Sequence, residues 1–264
     1  MIELPDVERM IEGFAGYATG KTVKEIHIDD DAIDVSAAEA EEHLSGEVIE
    51  AVTRQGKFVV IRFRSAHSLV VDMGSDGKIY LDSQTAPPEE TSKIRLQFAA
   101  GKELRFSSPG EEGTVYLVAG DDFSGLGSLQ SLGLDPLSEE LTAEAFVSLS
   151  QGHPRSTLKG LLMNQEVVAG IGNEYADEIC FQAGYRPDLK ISLMTSDQLQ
   201  KTHLYLRRVL RRATLHWQAA HADPGWLINH RKAGTACPRC TTALKSMRVS
   251  GKATFVCTRC QRAA

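Results

Sequence analysis

Between Lys21 and about residue 120 the chain alternates apolar and polar positions, or gathers apolar residues into short blocks. The segments KTVKEIHID, EVIEAVTRQ, KFVVIRFRS, HSLVVDM, GKIYLD, SKIRLQF, KELRFSS and TVYLVAG follow this pattern, with turn-forming residues between them. A period of two in Val, Ile, Phe and Tyr marks a strand with one face buried, and strands at this regular spacing predict an antiparallel sandwich or barrel. Ahead of them, Val7, Met10, Ile11 and Phe14 fall at helical spacing behind Pro5, which predicts a short helix over residues 1–16. Two runs break the strand pattern. DDDAIDVSAAEAEEH and QTAPPEE read as surface loops, with AAEAEEHL able to form one acidic helical turn.

The Gly- and Ser-rich stretch DDFSGLGSLQSLGLDPLSEE reads as a linker, over residues 123–140. Beyond it the apolar spacing becomes helical. The expected helices are Thr142–Leu149, Thr157–Met163, Asn173–Ala183, Ser196–Ala219 and Gly225–Leu227, with Ser196 as an N-cap. Arg207, Arg208, Arg211 and Arg212 form a basic face on the long helix, either solvated or in contact with DNA. The chain ends in a cysteine-rich segment whose spacer LKSMRVSGKATFV reads as a β-hairpin turning at Ser250-Gly251-Lys252. The expected class is α+β, with a β-sandwich domain at residues 1–122, the linker, a helical domain at 141–230 and a terminal finger at 231–264.

Composition changes this picture at two points. The net charge of −6 argues against nucleic acid, but it is unevenly placed. Residues 1–150 hold 12 Lys and Arg against 28 Asp and Glu, whereas residues 151–264 hold 17 against 7. Such asymmetry fits either a cationic half that contacts nucleic acid or one that docks on its acidic neighbour. The five cysteines divide as four plus one. Cys237, Cys240, Cys257 and Cys260 stand as C-x2-C-x16-C-x2-C, two knuckles that suit one tetrahedral Zn2+. Cys180 lies in the apolar run YADEICF and reads as a buried small hydrophobe. With no apolar run of about 20 residues and no basic, then apolar, N-terminal stretch, a cytoplasmic protein without membrane contact is expected.

The segment LKGLLMNQEVVAGIGNEYADEICFQAGYRPD, residues 158–188, carries the most specific local signal. A helix enters a glycine-bounded turn, Val168-Ala169-Gly170-Ile171-Gly172, and a second helix begins at Asn173. Glycines at 170 and 172 allow positive φ and close approach, and Asn173 suits an N-cap. Free N–H groups of the turn and helix start would bind one DNA phosphate. A plain helical hairpin is the alternative.

With ELPDVE at 3–8, QGKF at 55–58, LGLDPLS at 132–138 and KATF before the third finger cysteine, this run makes the chain resemble the formamidopyrimidine-DNA glycosylase / endonuclease VIII family of base-excision-repair proteins over nearly its full length. The resemblance implies an N-terminal β-sandwich flanked by helices, then a helix–two-turn–helix domain with a zinc-finger hairpin. It also implies damaged or abasic double-stranded DNA as the partner of a monomer. Family members attack C1′ of the damaged nucleotide with an N-terminal proline amine, a neighbouring Glu handles protons and a sandwich-domain Lys binds phosphate. Glu3 and Lys57 stand at the matching positions; Ile2 stands where proline is expected. With Met1 retained, the amine belongs to Met1 and is displaced by one residue, about 3.8 Å between Cα atoms, too far for the usual attack.

Other departures follow. The loop SSPGEEGTVY carries Glu111 and Glu112 where the family has an Arg and a Phe that fill the space of an extruded base, and Met73 is the candidate for a third wedge. Lys252 replaces the finger's phosphate-binding Arg, keeping the charge without the bidentate fork. The expected sites are therefore Glu3, Met1 and Lys57 for catalysis, Lys57, Gly170, Gly172, Asn173 and Lys252 for DNA, and the four cysteines for Zn2+. The expected function is DNA N-glycosylase activity without proline-based lyase chemistry. The alternative is a non-catalytic, zinc-dependent reader of lesions or abasic sites. A third, RNA-binding reading has only zinc and charge behind it.

Overall fold

The computed structural model describes residues 1–29, 34–110, 112–221 and 223–262. The chain divides into two compact units. One comprises Met1–Ile2 and Asp6–Gln130, the other Glu3–Pro5 and Ser131–Ala264.

The first unit is a β-sandwich. Eight strands, β1 (Val23–Ile28), β2 (Ile49–Gln55), β3 (Phe58–Phe63), β4 (His67–Asp72), β5 (Lys78–Ser83), β6 (Ser92–Phe98), β7 (Lys102–Ser107) and β8 (Thr114–Ala119), form two four-stranded sheets. Their orders are β1-β6-β7-β5 and β2-β3-β4-β8, and every pairing is antiparallel. Each predicted strand is present. Ile61, Leu69 and Val71 of one sheet meet Ile79, Ile94, Leu96, Leu104 and Phe106 of the other in one core. Helix α1 (Leu4–Ala18) adds Val7, Ile11, Phe14 and Ala18, one stripe of its surface, to that core.

The acidic run is more ordered than expected. Residues 37–44 form helix α2 (Ala37–Leu44), which buries Ala40 and Leu44. Its start is a capping box between Ser36 and Glu39, so the loop reading of this stretch is corrected. Residues 30–33 of that run lie outside the described residues. QTAPPEE is a loop, held from beneath by the buried Arg105, which donates to the carbonyls of Ser83, Ala86 and Pro87 at 2.6–3.0 Å. Met73 is fully buried in the sandwich core and cannot serve as a wedge, because its side chain is already packed.

The second unit is helical. After the short α3 (Gly127–Gln130) of the first unit, residues 131–140, part of the expected linker, bind the turn after α5. Gly133 N donates to Gln165 O and Ala169 N to Leu134 O. Helices α4 (Ala143–Gln151), α5 (Leu158–Leu162), α6 (Asn173–Ala183), α7 (Ser196–Leu215) and α8 (Trp217–His221) follow. The long helix breaks at His216 instead of running to Ala219, and its N-cap is Thr195, in a capping box with Gln198, not Ser196. In place of a helix at Gly225–Leu227 there is a single 3₁₀ turn at Leu227–His230. The basic face is largely paired: Arg207 and Arg211 with Glu139, Arg212 with Asp223, and Arg208 over the Tyr205 ring. Strands β9 (Lys245–Val249) and β10 (Lys252–Val256) close the chain as a hairpin. Its two turn residues, Ser250 (φ 50°) and Gly251 (φ 76°), both have positive φ, as a type I′ turn requires.

Candidate active site and metal centre

Helix α6 begins without a local cap. Its N-cap is Gly172, which has no side chain, and Asn173 is the first helical residue instead of the expected cap. The carboxylate that closes this helix start comes from Glu3, 169 residues away in sequence. Glu3 Oε2 accepts from Gly172 N at 2.7 Å and Tyr175 N at 3.2 Å, and Oε1 accepts from Glu174 N at 2.7 Å. The positive end of the helix dipole adds to the stabilisation of its negative charge. Leu4 N donates to Gly170 O at 2.9 Å, which fixes the backbone that presents Glu3. Tyr175 is anchored in turn through its hydroxyl, 3.2 Å from His221 Nε2.

This arrangement reassigns two residues. The N–H groups expected to bind phosphate are occupied: Gly172 by Glu3, and Gly170 by Gln165 Oε1 at 2.8 Å. Gly170 and Gly172 are therefore turn and close-approach positions and do not offer their N–H groups to DNA. Gly170 adopts φ 85°, and a Cβ built on Gly172 would lie 2.5 Å from Glu3 Cδ. The glycine at 172 is what lets the carboxylate reach the helix.

At the chain start, Ile2 N donates to Ser75 O at 2.9 Å. It is an amide nitrogen with no free lone pair, and Ile2 packs against the sandwich core. Met1 precedes it and is 53% exposed. Lys57 follows Gly56 (φ 57°) in the two-residue turn joining β2 and β3. Burial raises the Asp72 carboxyl above its ordinary value, against its hydrogen bond from Gly74 N and the nearby Lys57 charge, and Glu112 adds to the rise. Lys57 thus sits among carboxylates of its own unit. Glu112 is exposed; Glu111 lies outside the described residues.

The helix–two-turn–helix and the hairpin meet in a buried polar cluster that the sequence did not announce. Lys159 of α5 is fully buried. Its Nζ lies 2.7 Å from Asn173 Oδ1, 2.6 Å from Asp177 Oδ1 and 2.7 Å from Thr254 Oγ1 of β10. Asp177 Oδ2 in turn pairs with Arg231 Nη1 at 2.5 Å and accepts from Phe255 N at 3.2 Å. Burial lowers the Lys159 ammonium and raises the Asp177 carboxyl, each offset in part by the other's charge. The one available signal was that α5 has only five residues, four of them buried, so a lysine among its leucines is enclosed.

The four finger cysteines converge. All four Sγ atoms lie within 4.8 Å of one another, with Cys237–Cys260 at 3.8 Å and Cys240–Cys257 at 3.4 Å. Zn–S bonds of about 2.3 Å in a tetrahedron require Sγ separations of about 3.8 Å, so the donor set fits Zn2+. The N–H groups of Arg239 and Cys260 point at Cys237 and Cys257 Sγ, each at 3.4 Å, which suits thiolate ligands. Held by these four thiolates, the ion would tie both ends of the hairpin to one point. Cys180 is not part of this set; it is buried in α6, and burial raises its thiol far above its ordinary value.

Comparison with known proteins agrees with this architecture. Residues 1–115 match the formamidopyrimidine-DNA glycosylase N-terminal domain, residues 132–220 its H2TH domain, and residues 234–263 the zinc finger found in FPG and IleRS. A formamidopyrimidine-DNA glycosylase of Colwellia psychrerythraea is 30% identical over 273 residues, covering 99% of this chain and all of that protein. One from Marinobacter nauticus is 29% identical over 274 residues, with the same coverage. The fold matches that of Lactococcus lactis Fpg, solved in complex with N7-benzyl-Fapy-dG-containing DNA and with abasic-site DNA. For both, the TM-score is 0.87 at 22% identity, covering 98% of this chain and 99% of that chain. What fold and metal site define is a zinc-finger protein of the helix–two-turn–helix class. The chain belongs to the formamidopyrimidine-DNA glycosylase family of DNA-repair proteins. Among the described residues no helix is long and apolar enough to cross a membrane.

Proposed function

We propose that this protein is a monofunctional DNA N-glycosylase that excises damaged bases from duplex DNA by hydrolysis. The observation that carries the reading is the enclosed Glu3 carboxylate, fixed by three N–H donors while the nitrogen of residue 2 is an amide. These donors fix the carboxylate in position to act on a water. Glu3 takes a proton from that water as its oxygen bonds to C1′. The C1′–N bond breaks, its electron pair leaves with the base, and the proton held by Glu3 passes to the departing nitrogen. No Schiff base forms, so the strand remains intact.

Lys57, Asn173 and Lys252 are assigned to the phosphates. Lys252 is exposed on β10 and shares a strand face with Thr254, two residues on. Thr254 contacts Lys159, and Lys159 contacts Asn173. Lys252 and Asn173 are thus linked through one cluster of the second unit. The protein acts as a monomer in the cytoplasm, on chromosomal DNA.

The test is incubation of the zinc-loaded protein with duplexes carrying oxidised, ring-opened or alkylated bases, with and without borohydride. Free base with an intact strand and no trapped adduct is the expected result, lost in Glu3→Gln. A borohydride-trapped adduct would overturn the hydrolytic route. Tight binding without release of any base would leave a lesion reader.

A further inference from the structure

Lysine carries three protons and accepts none. At Lys159 all three have acceptors within 2.7 Å: Asn173 Oδ1, Asp177 Oδ1 and Thr254 Oγ1. The Ala253 carbonyl, at 3.4 Å, completes the shell. The side chain is fully buried, so Lys159 has neither a proton to spare nor a path to a phosphate. It does settle which way the Asn173 amide faces. Only Oδ1 can accept from an ammonium, so the amide NH2 must point the other way. Asn173 is half-buried, while its partner is enclosed.

We propose that Lys159 is a positioning residue, the pin through which the zinc hairpin fixes the Asn173 amide as an outward donor to a DNA phosphate. The inference rests on the reading of Asn173 given above. One end of the pin is set by the hairpin, because Thr254 Oγ1 belongs to β10, whose end is followed directly by the ligand Cys257. Asp177 locks the same assembly from α6, pairing with Lys159 and Arg231 and accepting from Phe255 N of β10. Without the ammonium, the amide can rotate by half a turn and present its oxygen to the phosphate, an acceptor against an anion.

The test uses the full zinc-loaded chain and a duplex containing a tetrahydrofuran abasic-site analogue, with affinity measured across salt concentrations. Asn173→Ala is expected to weaken binding about tenfold, the scale of one hydrogen bond to a charged group. Lys159→Met should weaken the native protein by a similar factor, yet change Asn173→Ala by less than about twofold, because coupled residues are not additive. Thr254→Val removes one acceptor, leaves the ion pair and the zinc ligands in place, and keeps the question answerable if Lys159→Met fails to fold. It should weaken binding in the native background only. Equal losses in both backgrounds, or a salt slope reduced by about one in Lys159→Met as for a direct phosphate contact, would overturn the pin. If Asn173→Ala binds as the native protein does, the reading of Asn173 falls and the pin falls with it.

Discussion

Helices α2 and α6 each begin with N–H groups that the helix cannot satisfy internally. At α2, Ser36 accepts from Glu39 N at 3.2 Å and Glu39 accepts from Ser36 N at 3.0 Å, so residues three apart solve the problem between them. Helices α4, α5 and α7 are also capped locally, by Thr142, Thr157 and Thr195. At α6 the cap position is a glycine, and the acceptor is Glu3, buried to 1% exposure. A local cap only starts a helix. A remote one also fixes a carboxylate from elsewhere in the chain, at the cost of a helix start that is incomplete until segments far apart in sequence have met.

The contrast can be broken most severely at Glu3. Glu3→Ala leaves three buried donors without their acceptor, and a loss of about 4 kcal/mol in unfolding free energy is expected, from 1–3 kcal/mol per unsatisfied group with partial relief by water. Chemical denaturation measures it, and a loss below about 1 kcal/mol would mean that α6 finds another cap. Gly172→Ala comes next, at about 3 kcal/mol together with loss of base release, because its Cβ would sit inside the Glu3 side chain. In the Glu3→Ala background the same substitution should be nearly neutral; a full additional cost there would show that Gly172 is required for some other reason.

A second carboxyl on α6 sharpens the comparison. Glu178 accepts from Ile228 N at 2.8 Å and Gln182 Nε2 at 2.5 Å, but sits within the helix, where burial raises its pKa from 4.5 to about 7. The folded protein therefore holds a proton that the unfolded chain releases. The Glu178 contribution to stability is therefore greatest below about pH 4.5, falls as the pH rises towards 7 and levels off above it. Glu178→Gln should flatten that slope, gaining about 3 kcal/mol relative to the native protein between pH 4.5 and 8, as followed by denaturant melts. Parallel curves for the two proteins would contradict a buried titrating Glu178. The smallest effect is expected for Ser36→Ala, about 1 kcal/mol for one lost cap with no change in base release.

What could be read from the chain follows the same division between local and remote. The eight strands were legible because period-two patterning is written within each segment, and α6 because a glycine-bounded turn precedes its apolar run. The metal site was legible because four ligands lie in two short knuckles. Helix α2 was foreseen only as a single acidic turn within a loop, even though its capping box is local, since the surrounding acidic run reads as solvated. The partner of Glu3, the burial of Met73 and the enclosure of Lys159 depend on chain segments up to 172 residues apart, and no window of sequence displays them. Asn173 was placed at the right helix end but given the role that Gly172 and Glu3 share.

The hairpin tip is only two residues long, and strand faces alternate with every residue. Inserting a single amino acid between Val249 and Lys252 would leave the four thiolates free to bind their ion if the slip were confined to β10. Ala253 or Phe255 would then stand in the row now held by Lys252 and Thr254. A finger that is fully metallated by every spectroscopic criterion could thus be deaf to the helices beneath it, which makes loop length a separate design variable from metal affinity in this module.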